Sequence, residues 1–211
     1  MNLWVFDNDG TLYDDFGAGQ QFMKIFYEYY AESYGNRSGC MVEEVDNLKD
    51  KWNTEFSILA LMKEYGVDFE RIVQETYLKI NLQSCNIPSP DLARLEAINS
   101  LQGRKVVLTN NPSVFAKRVL SFVGLEQCFM SIIGMEETQF LGKPDAHAYR
   151  TVERLYPGFD RILFCDDSLK NLDGARALGW TTIWCKPKSA DAQAGAGHIV
   201  INSFQELKQI E

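Results

Sequence analysis

Three short apolar runs in this chain stop abruptly at oxygen-bearing residues. Trp4, Val5 and Phe6 run into Asp7-Asn8-Asp9-Gly10-Thr11. Val106, Val107 and Leu108 run into Thr109-Asn110, and Ile162, Leu163, Phe164 and Cys165 run into Asp166-Asp167. A brief apolar run bounded by turn residues reads as a strand buried on both faces. Such strands belong to parallel sheets covered by helices on each side. The carboxyl ends of parallel strands lie along one edge, and ligands bind in the crevice outside it. The residues that end these runs are therefore predicted to converge.

Between the first and second runs the spacing turns helical. Phe22, Phe26, Tyr29, Tyr30 and Ser33 form one helical stripe, with Gly35-Asn36 as its stop. Val42, Val45, Leu48 and Trp52 form a second, and Phe56, Leu59, Ala60 and Met62 a third that ends at Tyr65-Gly66. Asp68 reads as the cap of a fourth, with Phe69, Ile72, Val73, Thr76 and Ile80 inside. The aromatic stripe reads as bundle core rather than as a base-stacking surface. Ile87-Pro88-Ser89-Pro90 reads as a hinge-like break.

Strand and helix alternate from there on. A helix carries Leu92, Leu95, Ile98 and Leu101, and strand 105–108 follows. Pro112 suits the first turn of the next helix, with Asn111 as its cap. Strands are predicted at 129–133, 161–165 and 181–185, with helices after Lys143 and around Asn171, Ala175 and Leu178. Residues 186–197 read as an exposed loop, followed by a short strand near 199–201 and a helix from Ser203. The predicted fold class is α/β. Residues 1–15 and 86–211 form a Rossmann-like parallel core with helices on both faces, and residues 16–85 form a small all-helical domain.

A net charge of −8 argues against a general nucleic-acid binder, which would show a basic face, but permits a small phosphorylated substrate at a locally positive site. No stretch approaches the length of a membrane span, and Asp7 and Asp9 interrupt any early apolar run of the signal-peptide kind. The cysteines at 40, 85, 128, 165 and 185 are odd in number and none is paired as CxxC. Reduced, largely buried thiols in a cytoplasmic protein are the expectation.

The strand-end residues suggest a chemistry. Asp7 and Asp9 are two positions apart, which would put both carboxylates on one side if extended geometry persisted. Alone, this segment is equally an acidic surface turn. Clustered carboxylates repel and call for a cation, a shared proton or a very wet site. With Thr109, Asn110, Lys143, Asp166 and Asp167 at the same edge, the set becomes oxygen-rich and acidic with one ammonium. Such a set suits hard Mg²⁺. No His or Cys cluster offers a zinc site, and His147 and His198 receive no role.

Four segments in order, Asp7-Asn8-Asp9-Gly10-Thr11-Leu12-Tyr13, Thr109-Asn110, Lys143-Pro144-Asp145 and Asp166-Asp167-Ser168 with Asn171, resemble the motifs of haloacid dehalogenase superfamily phosphatases. The resemblance covers essentially the whole chain, and the helical stretch falls where that family inserts a cap. It implies a Mg²⁺-dependent phosphomonoester hydrolase. Asp7 is then the nucleophile that forms an aspartyl phosphate, and Asp9 the acid and base, its carbonyl also binding metal. Thr109, Asn110 and Lys143 hold phosphoryl oxygens, and Lys143 keeps Asp7 ionised. Asp167 binds metal directly, and Asp166 does so directly or through water. Thr11 braces the turn or touches the nucleophile. Asn8 stands where relatives usually carry an apolar residue, able to contact metal-bound water or to bond the loop. The implied substrate is a small phosphorylated metabolite, such as a nucleoside monophosphate or a sugar phosphate, turned over by a monomer or homodimer with no nucleic-acid or membrane partner. Asp9 and Asp167 argue against the dehalogenase branch, which lacks the second acid. A sugar-phosphate mutase and a non-catalytic phosphate- or partner-binding module remain alternatives.

Overall fold

The structure is a computed structural model that describes residues 1–14, 17–34, 41–85, 87, 92–185 and 197–210. The expected stop at Gly35-Asn36, the break at Pro88-Ser89-Pro90, the loop at 186–196 and Cys40 lie outside the described residues. The chain divides into two compact units, Met1–Asp14 with Ile87–Glu211, and Asp15–Asn86.

The first unit holds a six-stranded sheet, every pair parallel: β1 (Asn2–Phe6), β2 (Arg104–Leu108), β3 (Ser131–Ile133), β4 (Arg161–Asp166), β5 (Thr181–Cys185) and β6 (Ile199–Ile201). The spatial order is β3-β2-β1-β4-β5-β6, the Rossmann-like order in which the winding reverses beside β1. β1 is central, and its residues Leu3, Trp4, Val5 and Phe6 have no exposed surface, because both faces are covered. Leu3 and Val5 join Val106, Leu108 and Phe164 on one face. There they meet Tyr149 and Val152 of α7 (Ala146–Leu155) and Leu172 and Ala175 of α8 (Leu169–Arg176). Trp4 and Phe6 occupy the other face, where Phe6 packs on Phe129 and Phe204 at centroid distances of 5.6 and 6.1 Å. The remaining helices of this unit are α5 (Leu92–Ser100) and α6 (Ser113–Phe122).

The second unit contains α1 (Ala18–Ser33), α2 (Met41–Trp52), α3 (Ser57–Tyr65) and α4 (Phe69–Glu75). Phe26, Tyr29, Tyr30, Leu61, Ile72 and Ile80 are buried, so most of the aromatic stripe is core. Among the described residues no helix is long and apolar enough to cross a membrane. Cys85, Cys128, Cys165 and Cys185 are free thiols.

Several local expectations need correction. Asn111 does not cap α6. Pro112 itself takes the cap position with ψ 136, and the exposed amide of Ser113 is met instead by Glu136 Oε1 at 2.9 Å. α4 stops at Glu75, short of Ile80, because Thr76 leaves helical geometry at φ −122, ψ −82. Asp68 stands at the cap position of α4 but makes no side-chain cap bond. The third strand begins at Ser131 rather than 129, and the segment after Ser203 is a 3₁₀ helix closed by a Ser203–Glu206 capping box.

Gly103 sets the entry to β2. Its φ is +102, and a Cβ there would come within 2.3 Å of the Asn2 carbonyl oxygen at the start of β1. Gly103→Ala should therefore lower the unfolding free energy by about 2 kcal/mol or more. A urea midpoint equal to that of the wild type would contradict this account.

Candidate active site

Register brings the strand ends together. Phe6 pairs with Cys165, so Asp7 follows beside Asp166, and the Asp7 amide donates to the Cys165 carbonyl at 2.8 Å. On the other side, Thr109 follows β2 and donates its amide to Ile133 at 2.9 Å. Asp7, Asp166 and Asp167 offer carboxylate oxygens that all lie within 4.8 Å of one another.

Lys143 reaches into this group from the other direction. Its Nζ donates to Asp7 Oδ1 at 2.6 Å and to Asp166 Oδ2 at 2.8 Å, and all three side chains are nearly fully buried. Asn110 fixes the lysine's backbone. Its Nδ2 donates to the Lys143 carbonyl and its Oδ1 accepts from the Lys143 amide, both at 2.8 Å. The Asn110 side chain thus holds the lysine in place. Asp166 is further held by Ser168 N at 2.8 Å and by Asn171 Nδ2 at 3.1 and 3.2 Å.

Asp167 is only half-buried. The Thr11 hydroxyl donates to its Oδ1 at 3.4 Å, and Trp184 Nε1 holds its carbonyl at 2.8 Å. Thr11 therefore contacts Asp167. Gly10 faces the same carboxylate with φ +80, and a Cβ there would meet Asp167 Oδ2 at 2.6 Å, so only glycine lets the two loops approach.

The Asp9 carboxylate is outside the three-carboxylate cluster. Tyr13 donates its hydroxyl to Oδ1, while Oδ2 accepts from Asn111 Nδ2 at 2.9 Å, Thr109 Oγ1 at 3.3 Å and Asn8 Nδ2 at 3.4 Å. Asn8 is fully buried, and its Oδ1 finds no partner among the described residues. The sequence reading gave Tyr13, Asn111 and Asn171 no role of this kind. Tyr13 lies four residues beyond Asp9 across a glycine turn, which is a local signal. Asn111 meets Asp9 only through the fold, 102 positions away.

Burial pushes the Asp7 carboxyl well above the usual carboxylate range. Lys143 pulls it back, and Asp166 and Asp9 push it further up. Burial also raises Asp167, with Asp166 adding to the effect. Burial alone would lower Lys143, but Asp166 and Asp7 outweigh it and hold the ammonium above its ordinary range. Three carboxylic groups stand against one ammonium, two of them buried and the third half-buried. All-oxygen donors, close spacing and a surplus of acidic groups fit a hard divalent cation.

The family model of haloacid dehalogenase-like hydrolases matches residues 1–179. The chain belongs to that family. This haloacid dehalogenase-like hydrolase is also similar to solved structures. YfnB from Bacillus subtilis, described as a HAD hydrolase and solved bound to magnesium, is 20% identical with a TM-score of 0.60, over 99% of this chain and 97% of its own. A HAD phosphatase from Thermococcus onnurineus is 18% identical with a TM-score of 0.64, over 100% and 97%. The L-2-haloacid dehalogenase of Xanthobacter autotrophicus is 16% identical with a TM-score of 0.58, over 99% and 97%. At these identities the likeness is one of fold.

Lys143→Met would leave Asp7 and Asp166 facing each other without their cation. The fold should lose about 3–5 kcal/mol at neutral pH. Because Asp7 has a raised pKa in the fold, protonating it favours the folded state, and its contribution is lost as pH rises through that raised value. Losing Lys143 raises the Asp7 pKa further, so the gap between variant and wild type should narrow as pH falls through these raised values, above the usual carboxylate range. Denaturant melts at a series of pH values would measure it, and a gap independent of pH would refute the argument.

Proposed function

We propose that this hydrolase is a Mg²⁺-dependent phosphomonoesterase acting through an aspartyl phosphate. The observation that carries the reading is the buried Asp7–Lys143 pair within the cluster of Asp7, Asp166 and Asp167. A phosphate monoester dianion is repelled by bare carboxylates, so phosphoryl transfer depends on positioning and on charge compensation.

In this reading Asp7 attacks phosphorus as the bond to the leaving oxygen breaks. Asp9 gives that oxygen a proton. Water then attacks the aspartyl phosphate, Asp9 takes its proton, and inorganic phosphate leaves with Asp7 restored. Thr109 and Lys143 hold phosphoryl oxygens, and Asn110 contributes through its backbone N–H, since its side chain holds the Lys143 backbone. Asp7, Asp167 and the Asp9 carbonyl would hold Mg²⁺, with Asp166 assisting. Bound there, Mg²⁺ would offset the combined negative charge of phosphate and carboxylates. The unit Asp15–Asn86 would serve as the cap that selects the substrate, a small phosphorylated metabolite such as a nucleoside monophosphate or sugar phosphate. The second acid, Asp9, favours this reading over dehalogenation, which needs no protonated leaving oxygen.

Hydrolysis of p-nitrophenyl phosphate should require Mg²⁺, stop with EDTA and return with added metal. Asp7→Asn should lower kcat by about 10³-fold or more, and Asp9→Asn by about 10²–10⁴-fold. Turnover that survives EDTA, or that Asp7→Asn leaves intact, would overturn the proposal. Phosphoryl return to a second substrate hydroxyl without phosphate release would identify a mutase.

A further inference from the structure

We infer that Tyr13 and Asn111 are positioning residues that fix the orientation of the Asp9 carboxylate, one on each oxygen. This rests on the proposal that Asp9 is the acid and base. The Tyr13 hydroxyl donates to Asp9 Oδ1, and Asn111 Nδ2 donates to Asp9 Oδ2 at 2.9 Å. An aspartate side chain has two torsions. Bonds on both oxygens from separate chain segments fix both of them.

The two partners are themselves fixed. The turn after Asp9 closes through Leu12 N to the Asn8 carbonyl at 2.9 Å and Gly10 N to the Tyr13 carbonyl at 3.0 Å. That closure pairs Asp9 with Tyr13 in a β-bridge and carries the ring back over the carboxylate, where Tyr13 is 3% exposed. Asn111 is held at both ends of its backbone. Its amide donates to Thr109 Oγ1 at 3.1 Å, and its carbonyl accepts from Met135 N at 3.1 Å. The same threonine hydroxyl points at Asp9 Oδ2 from 3.3 Å.

A buried tyrosine hydroxyl finds a partner in most proteins, so a bond alone could be structural. What separates positioning from packing is chemistry. A displaced acid fails most where the leaving oxygen most needs a proton, and a misplacement of about 1 Å can cost about 10²-fold. A packing defect lowers turnover of every substrate alike.

The test uses p-nitrophenyl, phenyl and benzyl phosphates, in order of rising leaving-group basicity. The readout is kcat/KM, which reports the step that expels the leaving group whatever follows it. For Tyr13→Phe and for Asn111→Ala, the loss on benzyl phosphate should exceed that on p-nitrophenyl phosphate by about 10-fold or more. Asp9→Asn should show the same selective loss, and Tyr13→Phe should add little in that background. A selective loss in Asp9→Asn with a uniform loss, or none, in Tyr13→Phe and Asn111→Ala overturns the positioning role alone. A uniform loss in Asp9→Asn, or a wild type that hydrolyses none of the three esters, removes the acid reading and the inference with it.

Discussion

The site depends on one buried ammonium. Lys143 bridges Asp7 and Asp166, two carboxylates that neighbouring strands push side by side. Without that cation the register of the sheet would itself be a source of repulsion in a region poor in solvent. The lysine is held in turn by Asn110, which follows β2. Three strands therefore share responsibility for one charge balance: β1 supplies Asp7, β4 supplies Asp166, and the end of β2 fixes the lysine between them.

The balance is incomplete by design of the donor set. Among the described residues the Asp167 carboxylate accepts from the Thr11 hydroxyl and remains half-buried, whereas Asp166 accepts from Lys143, Ser168 and Asn171. The two adjacent acids are thus unlike. One is tied into the frame by three neighbours, and the other accepts from the Thr11 hydroxyl and stays half-exposed. Gly10, with no side chain, lets the first loop approach the Asp167 carboxylate closely.

Much of this was legible in the sequence because it depends on local rules. An apolar run that ends in Asp or Thr needs no tertiary knowledge to read as a buried strand with a polar terminus. The alternation of such runs with helical stripes is enough to imply a parallel sheet. What was not legible depends on contacts between distant segments. Asn111 looked like a cap by position, yet its side-chain Nδ2 donates to Asp9, and Glu136 meets the helix amide instead. Asn110 reads from the sequence as a phosphate ligand, and only the fold shows that its side chain holds the Lys143 backbone. α4 ends early through the backbone of Thr76, which carries no strong breaker signal. For the two asparagines a hydrogen bond to a distant segment, invisible to periodicity, sets the side chain, and for α4 the backbone geometry of Thr76 does.

The strand order carries a consequence for how the chain is made. β1 leaves the ribosome first, yet both of its neighbours arrive much later, β2 about a hundred residues on and β4 later still. Until then its backbone edges are unpaired and Trp4 and Phe6 have no sheet to pack on. An open, aromatic strand is a template for pairing with another chain. The long helical stretch that follows can fold on short-range contacts in the meantime, but it cannot cover those edges by strand pairing. Synthesis of this protein therefore passes through a window in which a segment fully buried in the fold is exposed, and slow elongation between β1 and β4 lengthens the time at risk of aggregation.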